Sequence, residues 1–117
     1  MSVRHRMREY VEGLFTKIKD QADEEEYTVF NIYTKAGAMD VDELEITDMK
    51  VEFSNAESVK KFLDRTTREA LESEVKGLKL IAMVLEKSGQ YFFSSEIPLE
   101  ESFKKGIKER IEQLKEE

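Results

Sequence analysis

The sequence predicts an α+β domain with element order α-β-β-α-β-β-α, built on a four-stranded, mainly antiparallel sheet with amphipathic helices packed on it. Three observations predict it. Apolar residues recur at three- and four-residue spacings at the start, middle and end of the chain; runs rich in β-branched and aromatic residues lie between those stretches; and glycines punctuate the boundaries. At 117 residues the chain is read as one domain over residues 1–117, a size that buries roughly two-thirds of the surface its unfolded form exposes and folds without a metal or disulfide.

The first helix carries Val3, Met7, Tyr10, Val11, Leu14, Phe15 and Ile18 as one stripe and is expected to fade near Ala22. After the acidic run Asp23-Glu24-Glu25-Glu26, the stretch from Tyr27 to Thr34 predicts the first strand, and Lys35 to Asp42 a loop. In the second strand Leu44 and Ile46 occupy even positions, whereas Met49, Val51 and Phe53 occupy odd ones. A β-bulge at Thr47-Asp48 would return both sets to one face, and a tight turn there is the alternative.

Ser54-Asn55-Ala56-Glu57 has capping-box spacing and opens the second helix, whose stripe is Val59, Phe62, Leu63, Thr66, Ala70 and Leu71 and whose end falls before Gly77. Leu80 to Leu85 is apolar without a break, so both faces of the third strand are expected to be covered and the strand to be central. Lys87-Ser88-Gly89-Gln90 turns the chain into a fourth strand beginning Tyr91-Phe92-Phe93. Pro98 is expected at the first turn of the last helix, with Leu99, Phe103, Ile107, Ile111 and Leu114 as its stripe and Glu100→Lys104 and Glu101→Lys105 as its ion pairs. The second and third helices are expected to share one face of the sheet.

Composition excludes several chemistries. The chain has no cysteine, which removes disulfides, thiolate nucleophiles, Cys-ligated zinc and iron–sulfur clusters and points to a reducing compartment. The basic start from Met1 to Arg6 has no apolar run behind it and no stretch approaches a membrane span, so the reading is cytoplasmic, with no membrane partner. Charged residues make up 38% of the chain and the net charge is −7, a solvated globular surface that repels a phosphate backbone; no nucleic-acid partner is expected.

No catalytic residue and no cofactor is assigned. The single histidine, His5, sits among Arg4, Arg6 and Arg8 at the start of the first helix, without a second group to orient it. Asp40, Asp42, Glu43, Glu45 and Asp48 cluster, but the calcium-loop pattern fails, with Glu45 where the turn glycine belongs and Val51 where the bidentate glutamate belongs. No metal site is assigned, and the scattered glycines build no phosphate loop. The aromatic residues of the first and fourth strands lack basic neighbours and read as core.

Two features point to a second copy. The first helix begins with Arg4, Arg6 and Arg8 and is followed by Asp20 and Asp23 to Glu26, opposite to the preference of the helix dipole. A screened, frayed terminus accounts for this at small cost, and antiparallel pairing with a mate accounts for it too. The strands also carry apolar residues on both faces, so the face not covered by the second and third helices needs either the first helix or another subunit. The resulting expectation is a non-enzymatic protein–protein interaction module acting as a homodimer, with Met7, Val11, Leu14, Ile18, Arg4 and Arg8 at the contact. The alternative is a small-molecule-binding or regulatory domain with an apolar pocket between sheet and helices.

Overall fold

The computed structural model describes residues 2–18, 26–35 and 40–116. The expected helix end near Ala22, the acids at 20 and 23–25 and the loop at 36–39 lie outside the described residues. The elements run α1 (Val3–Ile18), β1 (Glu26–Lys35), a short 3₁₀ turn (Val41–Glu43), β2 (Glu45–Glu52), α2 (Ala56–Val75), β3 (Leu78–Lys87), β4 (Gln90–Ser95) and α3 (Glu101–Lys115). This is the α+β order read from the sequence. The four strands form an antiparallel sheet in the order β2-β1-β3-β4, which places the long apolar strand β3 inside the sheet and leaves β2 and β4 as its edges.

The helices are distributed differently from the expectation. α1 and α2 lie together on one face, where Met7, Tyr10, Val11, Leu14 and Ile18 of α1 and Phe62 and Ala70 of α2 bury against Val29, Tyr33, Met49, Met83 and Leu85. α3 covers the other face alone, setting Ile107 and Ile111 on Phe30, Ile32, Ala82, Val84 and Phe93. Both sides of the sheet are therefore covered within one chain.

The change of apolar phase in β2 is real but is not a bulge. The β1–β2 register runs unbroken from Glu26↔Glu52 to Tyr33↔Glu45, so Ile46 joins the α3-side core while Met49 and Val51 join the other. The irregularity sits instead between β1 and β3, where Ile32↔Ala82 is followed by Tyr33↔Leu80 and Ile81 is the extra residue.

The α2 cap is displaced by one residue from the expected box. Asn55 accepts from the Ser58 amide at 2.9 Å and Ser58 Oγ accepts from the Asn55 amide at 3.2 Å. Leu71, assigned to the buried stripe, is 49% exposed; Thr66 and Thr67 fill the buried positions there. Pro98 precedes α3 and its cap, Glu100, rather than entering the first turn, and Lys104 pairs with Glu101 at 3.6 Å.

Candidate functional site

A groove of about 450 Å³ runs along the free edge of β4. Its position follows from a hairpin in which Ser88 (φ 53°) and Gly89 (φ 82°) form the two-residue connection between the paired Lys87 and Gln90, the positive-φ turn whose twist matches the strands. Counting from that turn, the Glu86↔Tyr91, Val84↔Phe93 and Ala82↔Ser95 pairs are of the non-hydrogen-bonded kind. The amides and carbonyls of Tyr91, Phe93 and Ser95 consequently point away from β3.

α1 forms one wall. A Cβ at Gly13 would stand 2.5 Å from Ser94 Oγ, so glycine is what lets the helix lie against the strand, and Ser94 Oγ donates to the Tyr10 carbonyl at 2.9 Å. One turn beyond Gly13, the Lys17 ammonium reaches the edge and donates to the Phe93 carbonyl. α3 supplies the opposite wall through Lys104, whose ammonium stands 5.6 Å from the Phe93 ring centroid, and the exposed Lys108 stands 5.9 Å from the same centroid, outside the groove lining. Glu9, Glu96, Ile97 and Leu99 complete the lining, and Ile97 is 61% exposed.

The electrostatics follow from this crowding. Partial burial, and then the charge of Lys104, pull Lys17 below the usual lysine value. Burial chiefly, with Glu96 adding to it, pushes the Tyr10 hydroxyl up to about 12.

A second polar cluster ties α2 to the sheet. The Tyr33 hydroxyl donates to Glu69 Oε1 at 2.8 Å and Thr47 Oγ1 donates to the same oxygen at 2.5 Å; burial first, then the Glu69 hydrogen bond, drives Tyr33 far above the ordinary tyrosine value. Asn31, two residues earlier on the same side of β1 and paired with Thr47 and Met83, is fully buried, and neither its Oδ1 nor its Nδ2 finds a partner among the described residues. A buried amide without hydrogen bonds carries its whole desolvation cost. Asn31→Leu, close to isosteric, is expected to raise unfolding stability by roughly 1–3 kcal/mol in urea titration. A loss of stability would show that the amide is hydrogen-bonded in solution.

The residues assigned to an interface from sequence lie on the buried face and the basic start of α1. Met7, Val11, Leu14 and Ile18 are 0–3% exposed in the chain's own core. Arg4 pairs with Asp64 of α2 at 2.9 Å, Arg6 pairs with Glu74 at 2.5 Å, and Arg8 is exposed. The basic start of α1 is thus answered by acids of α2. The second sheet face, the other reason for a second copy, is covered by α3.

His5 lies in an exposed pair with Glu9 at 3.1 Å, and His5→Ala is expected to shift stability by less than about 0.5 kcal/mol, as at other surface sites; a larger loss in thermal melts would contradict that assignment. Asp40 accepts from the Asp42 amide at 3.1 Å to cap the 3₁₀ turn. The acids of that region form no group of three that could hold a metal ion among the described residues. A separate apolar opening, also about 450 Å³, lies between the end of α1 and the start of α2 and is lined by Val11, Phe15, Phe53, Ala56 and Val59. No helix among the described residues is long and apolar enough to cross a membrane.

Sequence reasoning gave Lys104 to a helical ion pair and Phe93 to the core, named neither Lys17 nor Lys108, and assigned none of the four to a site. The available signal was weak: the uncharged composition of Gln90 to Ser95 beside a net-acidic remainder.

Comparison with known proteins gives one informative relative. A protein of Aquifex aeolicus (strain VF5), described as an uncharacterized protein, is 37% identical over 119 residues, an alignment spanning all of this chain and 99% of the relative. The chain belongs to that protein's family. No protein-family profile and no solved structure matches, so the similarity to that relative carries family membership and brings no activity with it.

Proposed function

We propose that this domain is a non-enzymatic protein-interaction module whose working surface is the groove along β4. The supporting observation is the contrast between the two sheet edges. β2 carries Glu45, Asp48, Lys50 and Glu52, charges that discourage strand addition, whereas β4 from Gln90 to Ser95 carries none. A long flexible side chain, Lys17, occupies one outward carbonyl of β4 and can be displaced by an incoming strand.

The test uses labelled seven-residue peptides alternating valine with glutamate, glutamine or lysine. At least one should bind saturably and slow hydrogen exchange at the amides of Tyr91, Phe93 and Ser95, leaving β2 unchanged. Binding by none of the three, or protection confined to other strands, defeats the reading.

The homodimer is a second reading, now supported by a different surface. Leu71 and Val75, one turn apart on α2, are 49% and 90% exposed, and pairing of two copies there would bury them. A dimer mass by sedimentation at micromolar concentration supports this; a monomer mass rules it out.

A further inference from the structure

We infer that the β4 groove selects an acidic extended segment of a partner protein. The inference rests on the interaction-module reading and adds the chemistry of the partner. In a chain of net charge −7, ammonium groups from helices on opposite faces of the sheet converge on one edge residue: Lys17 at the Phe93 carbonyl, Lys104 and Lys108 over its ring. Lys17 and Lys104 share the groove and repel one another there, while Glu9 and Glu96 lie on its α1 side, so an anion on the α3 side beside Lys104 and the exposed Lys108 relieves that repulsion. Lys104 has Glu101 at 3.6 Å, but that carboxylate is 89% exposed and holds the lysine weakly.

A segment pairing with the outward groups of Tyr91, Phe93 and Ser95 alternates its side chains between the two sheet faces. Those on the α3 side fall beside Phe93, Lys104 and Lys108, where carboxylates are stabilised by the ammonium groups. The exposed Ile97, with Leu99, offers apolar contact to an aliphatic neighbour.

The same charges weigh against other occupants. Two copies joined through β4 would set both lysine groups face to face. A nucleic-acid strand carries a phosphate at every nucleotide and would meet Glu9 and Glu96 on the α1 side of the groove, whereas a segment that alternates its side chains sets its carboxylates on the α3 side, away from them.

The decisive measurement compares the three peptides by fluorescence anisotropy on the full chain at low salt, with far-UV circular dichroism confirming that each variant is folded. The glutamate peptide should bind at least about tenfold tighter than the glutamine peptide, and that margin should shrink as salt rises. Lys104→Gln with Lys108→Gln should erase the margin, and Lys104→Glu with Lys108→Glu should transfer the preference to the lysine peptide. Equal binding of the glutamate and glutamine peptides, with β4 protected, overturns the acidic specificity and leaves the interaction module standing. Binding of none of them overturns both. A preference that survives the double glutamine variant, or tighter binding of a single-stranded oligonucleotide that competes with the peptide, also overturns the inference.

Discussion

Leu14→Asp is expected to unfold the chain outright. Leu14 is fully buried at the centre of the α1 stripe, inside the cluster that α1, α2 and the sheet build together. Removing the isobutyl group alone costs roughly 2–5 kcal/mol, and a carboxylate placed there adds the cost of an unpaired buried charge or of its neutralisation. The sum is comparable with the roughly 5–15 kcal/mol that holds a domain folded. Far-UV circular dichroism with sedimentation velocity checks it. A variant that stays folded, or that merely changes from dimer to monomer, would show the stripe to be an intersubunit contact instead.

The secondary structure was legible because each element is written in its own period. Met7, Val11, Leu14 and Ile18 repeat helically and are all buried, and the unbroken run from Leu80 to Leu85 is an interior strand covered on both faces. What resisted reading is whatever depends on which element meets which. A helical stripe says that a face is buried, not against which side of the sheet, so α1 and α3 exchanged roles. The switch of apolar parity in β2 reads as a bulge if one buried face is assumed; with cores on both faces, Ile46 and Met49 satisfy opposite sides without one. Ser54–Glu57 and Asn55–Ser58 both have capping spacing, and side-chain geometry, not composition, selects Asn55. The candidate site was the least legible part. Lys17, Phe93, Lys104 and Lys108 come from three elements, and only the packing of α1 and α3 on opposite faces brings them to one edge.

Stability is expected to fall steeply in alkaline solution because two buried tyrosines resist ionisation in the fold. Tyr10 titrates near 10 when unfolded and is pushed up to about 12 in the folded chain, by burial first and by Glu96 next. Tyr33 is displaced in the same direction by burial and by its hydrogen bond to Glu69. Below about pH 10 both states keep both hydroxyl protons and the stabilisation is fully present. Between about pH 10 and the folded values the unfolded chain has released protons that the folded chain still holds, so stability declines as pH rises. For Tyr10 alone the two-unit window corresponds to roughly 2–3 kcal/mol at about 1.4 kcal/mol per unit, and Tyr33 adds to it. Lys17 works the other way: its lowered value means that the unfolded chain holds the extra proton, so its contribution rises with pH as the folded ammonium deprotonates and offsets part of the loss. Urea titrations at a series of pH values from about 9 to about 12 read the slope directly. Tyr10→Phe should flatten the decline at a modest cost at neutral pH, since the hydroxyl it removes makes a long 3.3 Å bond to the Leu80 carbonyl beside the Glu96 carboxylate. Tyr33→Phe should flatten it further while Thr47 keeps its bond to Glu69. A wild-type stability that holds level across that range, or an equal decline in the doubly substituted chain, would place the alkaline sensitivity elsewhere in the molecule.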